Sequence, residues 1–327
     1  MEFPDAAVRV RGLVKRFKEV EAVSGIDLDV HPGETFGFLG PNGAGKSTTI
    51  KILCTLTDAT AGTAEVAGFD VATERNAVRR HIGLVFQEPT LDAYLTAEQN
   101  LRFHGELYGV DRRTAASRRT EVLAMVGLQD RRSSRVQTYS GGMRRRLEIA
   151  RGLLHSPRVL FLDEPTIGLD PQTRASIWDY LRELHRREDI TVFVTTHYMD
   201  EAENCDRIAI MNAGRIVALD TPDALKAAVG ADRVSITTAD DGAAIRALDE
   251  QFHLPAAVRE GAVSFAVADG AAFVPQLFAR LPVPIQSVTV TRPSLDDVFL
   301  SYAGTTIRDA ERTAGPNPMA IFAGRGR

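Results

Sequence analysis

The eight residues Gly40-Pro41-Asn42-Gly43-Ala44-Gly45-Lys46-Ser47 fit the spacing G-x-x-x-x-G-K-[ST], directly after the apolar run Thr35-Phe36-Gly37-Phe38-Leu39. Glycines at these positions let backbone N–H groups turn inward around an anion, and a helix starting here adds its positive end. The spacing predicts Lys46 on the β- and γ-phosphates of a nucleotide and Ser47 on a Mg²⁺ ion. The plain alternative is a Gly-rich turn with a solvated lysine, and the strand, loop and helix context argues against it.

A second constellation lies downstream. Val159-Leu160-Phe161-Leu162-Asp163-Glu164 puts two carboxylates at the end of a continuous apolar run, the mark of a strand buried on both faces of a parallel sheet. In a doubly wound sheet the ligand crevice lies at such strand ends. Asp163 is then the Mg²⁺ partner beside Ser47, and Glu164 polarises a water for in-line attack on the γ-phosphate.

The elements that must position these residues can be read from periodicity. Between Val8 and Val30 the pattern is strand-like, with Ile26, Leu28 and Val30 alternating against Asp27 and Asp29 as in a half-buried antiparallel strand. Short strands are expected from Gly62 to Phe69 and from Ile82 to Phe86, the second delivering Gln87 to a strand end. Thr96-Ala97-Glu98-Gln99 has capping-box spacing for a helix that Gly109 closes, and a second helix runs from Arg112 to Met125 before Gly127, so the two form an inserted helical lobe. Ser140 precedes a helix with Met143, Leu147, Ala150 and Leu154 on one face, ended by Pro157. Asp170-Pro171 starts another helix with Ile177, Leu181 and Leu184 on one face, and Ile190 to Val194 is a further buried strand. This alternation around a phosphate loop implies a three-layer α/β core. Beyond Gly230, strands near 234–238, 262–267 and 285–290 alternate with helices near 243–252 and 271–281, a small α+β domain. The segment from Gly304 is Gly/Pro/Arg-rich without periodicity and reads as a disordered tail over 304–327.

Composition narrows the function classes. The 327 residues are 44% hydrophobic and 25% charged, the mix of roughly two globular domains. A formal net charge of -4 is the wrong footprint for wholesale nucleic-acid binding, and Arg144-Arg145-Arg146 is read as a solvated helix face. No run approaches the roughly 18 uninterrupted apolar residues of a membrane span, and Met1 to Asp5 opens no signal peptide, so a cytosolic location is expected. Cys54 and Cys205 lie far apart without a metal-ligand pattern and are expected to be reduced and buried.

Tyr139-Ser140-Gly141-Gly142-Met143-Arg144 resembles the signature segment of the nucleotide-binding subunits of ATP-binding-cassette (ABC) transporters. The order of motifs strengthens the likeness: Gln87 resembles that family's Q-loop glutamine, Glu164 to Pro171 its Walker B end and D-loop, and His197 its switch histidine. The resemblance covers about residues 8 to 228. Within it, Tyr-Ser-Gly-Gly-Met-Arg-Arg-Arg at 139–146 and Arg292-Pro293-Ser294-Leu295-Asp296-Asp297-Val298-Phe299-Leu300 are similar to ATPase subunits of two-component drug exporters of the daunorubicin-resistance type.

The resemblance implies a phosphate-loop NTPase fold of ABC type over residues 1–230, with an antiparallel β subdomain, a parallel-sheet core and a helical subdomain at about 90–155, followed by an α+β domain at 231–303. It implies ATP and Mg²⁺ as ligands, with Phe17 stacking on the adenine, Gly40, Asn42, Gly43, Ala44, Gly45, Lys46, Ser47 and Thr48 around the phosphates, and Ser47, Gln87 and Asp163 toward the metal. Lys46, Gln87, Glu164 and His197 would carry the hydrolysis. Two chains would pair head to tail, so that Ser140, Gly141 and Gly142 of one cap the γ-phosphate held by Lys46 of the other, with Asp170 communicating between the sites. Each role has a simpler rival: core packing for Phe17, backbone satisfaction for Gln87 and His197, helix capping for Ser140 and Asp170. Met143 replaces the family's usual glutamine and removes one polar contact.

The implied function is an ATPase on the cytoplasmic face of the cell membrane that drives a separate polytopic permease exporting a drug, antibiotic or lipid-like molecule, with contact near residues 87–92 and no nucleic-acid partner. A soluble ABC ATPase acting on ribosomes or DNA would share the chemistry, but it predicts tandem cassettes or a long coiled-coil insertion. A monomeric phosphate-loop switch or kinase leaves Ser140 to Gly142 and His197 without a purpose. A ligand-sensing C-terminal domain is compatible with transport.

Overall fold

The computed structural model describes residues 5–188, 190–259 and 261–303, so the predicted tail and the first four residues lie outside the described part. The chain divides into two compact units between Thr221 and Pro222.

In the first unit, strands β1 (Val8–Phe17), β2 (Val20–Val30), β4 (Ala61–Val66) and β5 (Phe69–Asp70) form a sheet in the order β2-β1-β4-β5, antiparallel throughout. The alternation of Ile26, Leu28 and Val30 sends all three into the core while the aspartates between them face outward. A second sheet contains β3 (Thr35–Leu39), β6 (Ile82–Val85), β7 (Val159–Asp163), β8 (Thr191–Thr196), β9 (Arg207–Asn212) and β10 (Arg215–Asp220), in the order β10-β9-β3-β8-β7-β6. Its pairs are parallel except the hairpin β9-β10. Every residue of β7 and β8 is buried, as expected of strands covered on both faces of a parallel sheet. Phe36, Phe38, Phe161 and Phe193 pack ring to ring between neighbouring strands of this sheet, with centroids 5.3 to 5.6 Å apart.

Helix α1 (Lys46–Leu53) follows β3 directly, and α2 (Arg75–His81) leads into β6. The inserted lobe consists of α3 (Ala97–Leu107) and α4 (Arg112–Met125). Thr96 and Gln99 form the reciprocal capping box at the start of α3, with bonds of 3.1 and 2.9 Å. Both helices pack on α5 (Gly141–Leu153), which reaches β6. Helix α6 (Pro171–Glu188) and the short α7 (Met199–Ala202) complete this unit.

The second unit begins at Pro222, and its described part contains α8 (Pro222–Val229), β11 (Asp232–Thr238), α9 (Asp241–Phe252), β12 (Ala257–Arg259), β13 (Ala262–Val267), α10 (Gly270–Arg280), β14 (Ile285–Thr291) and α11 (Leu295–Ala303). The four strands form an antiparallel sheet in the order β12-β13-β11-β14. Val234, Ile236, Leu248, Val263, Phe265 and Leu277 make its separate core. The unit begins at Pro222 rather than near residue 231 because α8 packs against α11. Both cysteines are free and buried, and burial pushes both thiols up, as expected of inert core residues.

Candidate functional site

The phosphate loop joins β3 to α1. Gly45 has φ 109, and a Cβ there would lie 2.3 Å from the Ala22 carbonyl oxygen and 2.6 Å from Met211 Cε, so only glycine permits the chain to turn here. The Thr49 amide bonds to the Gly45 carbonyl at 2.9 Å, so the Lys46, Ser47 and Thr48 amides precede the first intrahelical bond and are aimed outward at the helix N-terminus. That is a built anion cradle. Asn42 and Gly43 are exposed at its rim and Gly40 and Ala44 are buried at its base.

Lys46 is buried, with Nζ 2.7 Å from the Gly40 carbonyl, 3.0 Å from that of Pro41, and 3.5 Å from Glu164 Oε1. The end of β7 meets the start of α1 through Ser47, whose hydroxyl donates to Asp163 Oδ1 at 3.0 Å. Thr195, on the neighbouring strand β8, donates to the same oxygen at 2.7 Å and accepts from the Glu164 amide at 3.0 Å. This second bond helps hold Glu164 at φ 46, a left-handed conformation that costs a non-glycine residue about 1 to 3 kcal/mol.

The strained turn aims the Glu164 carboxylate at three predicted partners. Gln87 Nε2 lies 3.4 Å from Oε2, while Lys46 Nζ and His197 Nδ1 each lie 3.5 Å from Oε1. Burial pushes the Glu164 carboxyl up, but His197 and the Lys46 charge outweigh it, so the group sits below its usual range and stays ionised. His197 Nδ1 is buried without a hydrogen bond, a polar atom poised for a partner that an anion or water beside Glu164 would supply. Behind it, the Tyr198 ring lies 4.0 Å from the imidazole, and the Arg174 guanidinium covers Tyr198 at 3.9 Å. Buried Glu201 accepts from Thr196 at 2.7 Å and from Thr166, tying the histidine turn to the segment after Glu164.

The donors fit a small divalent cation. Ser47 and Asp163 offer one hydroxyl and one carboxylate, the hard oxygen set of an ion that keeps water and phosphate for the rest of its shell. Among the described residues no group of three His, Cys, Asp or Glu could hold a metal without such help.

Other predicted residues lie apart from this cluster. Ser140 caps α5, accepting from the Met143 amide at 3.2 Å. Asp170 caps α6 through Thr173, amide at 2.9 Å and hydroxyl at 2.6 Å, which lowers its carboxyl. The two caps adjoin, since a Cβ on Gly142 would lie 2.4 Å from Thr173 Cγ2 and only glycine lets α5 approach this closely. Phe17 is outside the core at 37% exposure, with the Lys15 ammonium 4.8 Å from its ring centroid.

The arginine run departs from expectation. Arg144 is exposed, but Arg145 is buried and spans the Phe86, Asp163 and Pro165 carbonyls, its pKa lowered to about 10 by burial. Three carbonyl acceptors compensate the lost hydration, and helical periodicity did not reveal this, since position 145 lies on the side of α5 opposite Met143, Leu147, Ala150 and Leu154. Thr195 and Glu201 were also missed, because nothing in a threonine or glutamate near a strand end marks it as a network member.

Comparisons agree with this geometry. The family described as "ABC transporter" matches residues 23–167, and that described as "ATP-binding protein DrrA1-3-like, C-terminal domain" matches residues 221–303. The chain is 41% identical over 313 residues to the daunorubicin resistance ATP-binding protein DrrA3 of Streptomyces coeruleorubidus, covering 94% of this chain and 99% of that one. It is 35% identical to the linearmycin resistance ATP-binding protein LnrL of Bacillus subtilis, covering 92% of this chain and 100% of that one. Among solved structures, an ABC transporter subunit of Clostridium perfringens aligns with TM-score 0.64 at 28% identity, over 68% of this chain and 91% of that one. A dimeric ATP-binding cassette bound to ADP and Pi aligns with TM-score 0.59 at 28% identity, over 65% of this chain and 98% of that one. With the phosphate cradle, the strained glutamate and both family matches in place, the chain belongs to the ABC transporter family as an ATP-hydrolysing subunit of the daunorubicin-resistance type.

Proposed function

We propose that this ATPase works as a head-to-tail dimer at the cytoplasmic face of the membrane and powers a separate polytopic permease that exports a drug, an antibiotic or a lipid-like molecule. The observation that carries the chemistry is the convergence of Lys46, Gln87 and His197 on the buried, ionised Glu164. In this reading the loop amides and Lys46 bind the β- and γ-phosphates, and Phe17 stacks on the adenine. Glu164 accepts a proton from the attacking water, His197 and Gln87 orient that water, and Ser140 to Gly142 of the second chain close over the γ-phosphate. Ser47, Asp163 and Gln87 would hold Mg²⁺, which when bound neutralises phosphate charge. Among the described residues no helix is long and apolar enough to cross a membrane, so solute passage is assigned to a partner. The drug-export reading follows the names of the resistance proteins to which the chain is similar.

Glu164→Gln tests the site. The amide keeps the side chain's shape and loses its basicity, so nucleotide binding should persist while kcat drops about 10²-fold or more. Steady-state hydrolysis at the normal rate would remove Glu164 from its role.

A further inference from the structure

Residues 87–94 connect β6 to the lobe with mostly exposed side chains, and they carry Gln87. The backbone around them is nevertheless fastened to buried groups, and helix α5 supplies two of the fastenings. Just before Gln87, Arg145 donates to the Phe86 carbonyl at 2.6 Å, and its other bonds reach the strand end that bears Asp163 and Glu164. Just after it, the Glu148 carboxylate accepts from the Thr90 amide at 2.6 Å, the Thr90 hydroxyl at 2.9 Å and the Leu91 amide at 3.2 Å. Arg151, one helical turn on, lies 3.1 Å from Glu148 and donates to the Leu84 carbonyl at 2.9 Å.

Glu148 is 2% exposed, and a carboxylate removed from water must be held by several donors. Three of its contacts come from the 90–91 segment, so drawing that segment away from α5 would leave the buried carboxylate with three donors lost and Arg151 as its remaining partner. The segment and the helix are therefore bound into one body. The same helix starts at the Ser140 turn, so a displacement of either end is felt at Gln87.

We propose that Glu148 is a positioning residue for hydrolysis: from α5 it grips the chain beyond Gln87 and keeps that side chain beside Glu164. The inference rests on the roles of Gln87 and Glu164 proposed above, and Glu148 acts through the chain that it holds.

The test is steady-state ATP hydrolysis by the full chain carrying Glu148→Gln, Gln87→Ala, or both. Glutamine keeps the volume, but its single oxygen cannot serve both the Thr90 and Leu91 amides and the Arg151 Nε, so its NH₂ group meets one of these donors and the grip is weakened. Glu148→Gln should lower kcat about tenfold with KM for ATP within about twofold, a loss in the chemical step rather than in binding. The double variant should be no slower than the slower single one, because both changes act through the same side chain. Wild-type kcat in Glu148→Gln, or losses that multiply in the double variant, would overturn the proposal. Full activity in Gln87→Ala would overturn it together with the Gln87 reading, whereas multiplying losses leave that reading standing. Should Glu148→Gln fail to fold, Thr90→Val removes one donor from the exposed side and leaves the two amide contacts. It should lower kcat about two- to threefold at unchanged KM, and an unchanged kcat would again refute the role.

Discussion

Gly45 and Glu164 both sit at positive φ within the site, for opposite reasons. Gly45 is where a side chain cannot fit; Glu164 is where a side chain must be aimed, and its neighbours hold the strain. Gly45→Ala should therefore cost several times the ~1 kcal/mol of an ordinary glycine exchange, since its Cβ meets a backbone oxygen at 2.3 Å that cannot swing away. The expected outcome is a chain with a lowered melting temperature and no measurable ATP binding, checked by thermal melting and nucleotide titration. Positions of this kind were legible in the sequence, because glycine and lysine spacing is dictated by local backbone geometry and the charge of the ligand. Glu148 and Thr195 were not, because each matters through a partner brought in from elsewhere in the chain, 58 residues away for Thr90 and Glu148.

At the scale of elements, helices α3 and α5 bring together a small aromatic group. Tyr108 stacks on His155 with centroids 4.4 Å apart and lies 6.3 Å from His104, while His155 Nε2 lies 2.8 Å from the Ile82 carbonyl. The Nδ1 atoms of both histidines are buried without a hydrogen bond, and burial, the largest cause for each, lowers both pKa values below the ordinary 6.5. The folded chain then binds fewer protons at these sites than the unfolded chain does. Stability is fully present above the unfolded value of 6.5 and is lost as pH falls through it toward the folded values. Melting of the first unit, followed by the single tryptophan Trp178 in α6, should occur at lower temperature at pH 5.5 than at pH 7.5. His104→Phe should narrow that difference. The lobe's helices were readable from caps and glycines, and α4 occupies the predicted span. Helix α11 was not read, although Ser294 and Asp297 carry capping-box spacing and bond reciprocally, at 3.2 and 2.8 Å, ahead of the buried Leu295, Val298 and Phe299. The three-residue β12 is too short to show a period, and its pairing with β13 is a tertiary fact.

For the molecule as a whole, the proposed function asks two helix ends of one chain, at α1 and α5, to serve a single nucleotide. Lys46 and Ser47 open α1 at the Asp163 and Glu164 cluster, while Ser140 opens α5 beside the Asp170 cap. In a two-fold pair each site would take its cradle from one chain and its cap from the other. Chains carrying Lys46→Ala should fail as homodimers, and so should chains carrying Ser140→Ala, for different reasons. Mixed in equal amounts, half the pairs would be hybrids in which one site unites an intact Lys46 with an intact Ser140 and the other site has neither. Independent sites would then restore about a quarter of the wild-type rate, the statistical share for random pairing. The measurement is ATP hydrolysis against mixing ratio, with the two chains carrying different tags so that hybrids can be isolated. No recovery in purified hybrids would mean that each chain completes its own pocket, and the head-to-tail arrangement would fall while the roles of Glu164 and Lys46 within one chain remained.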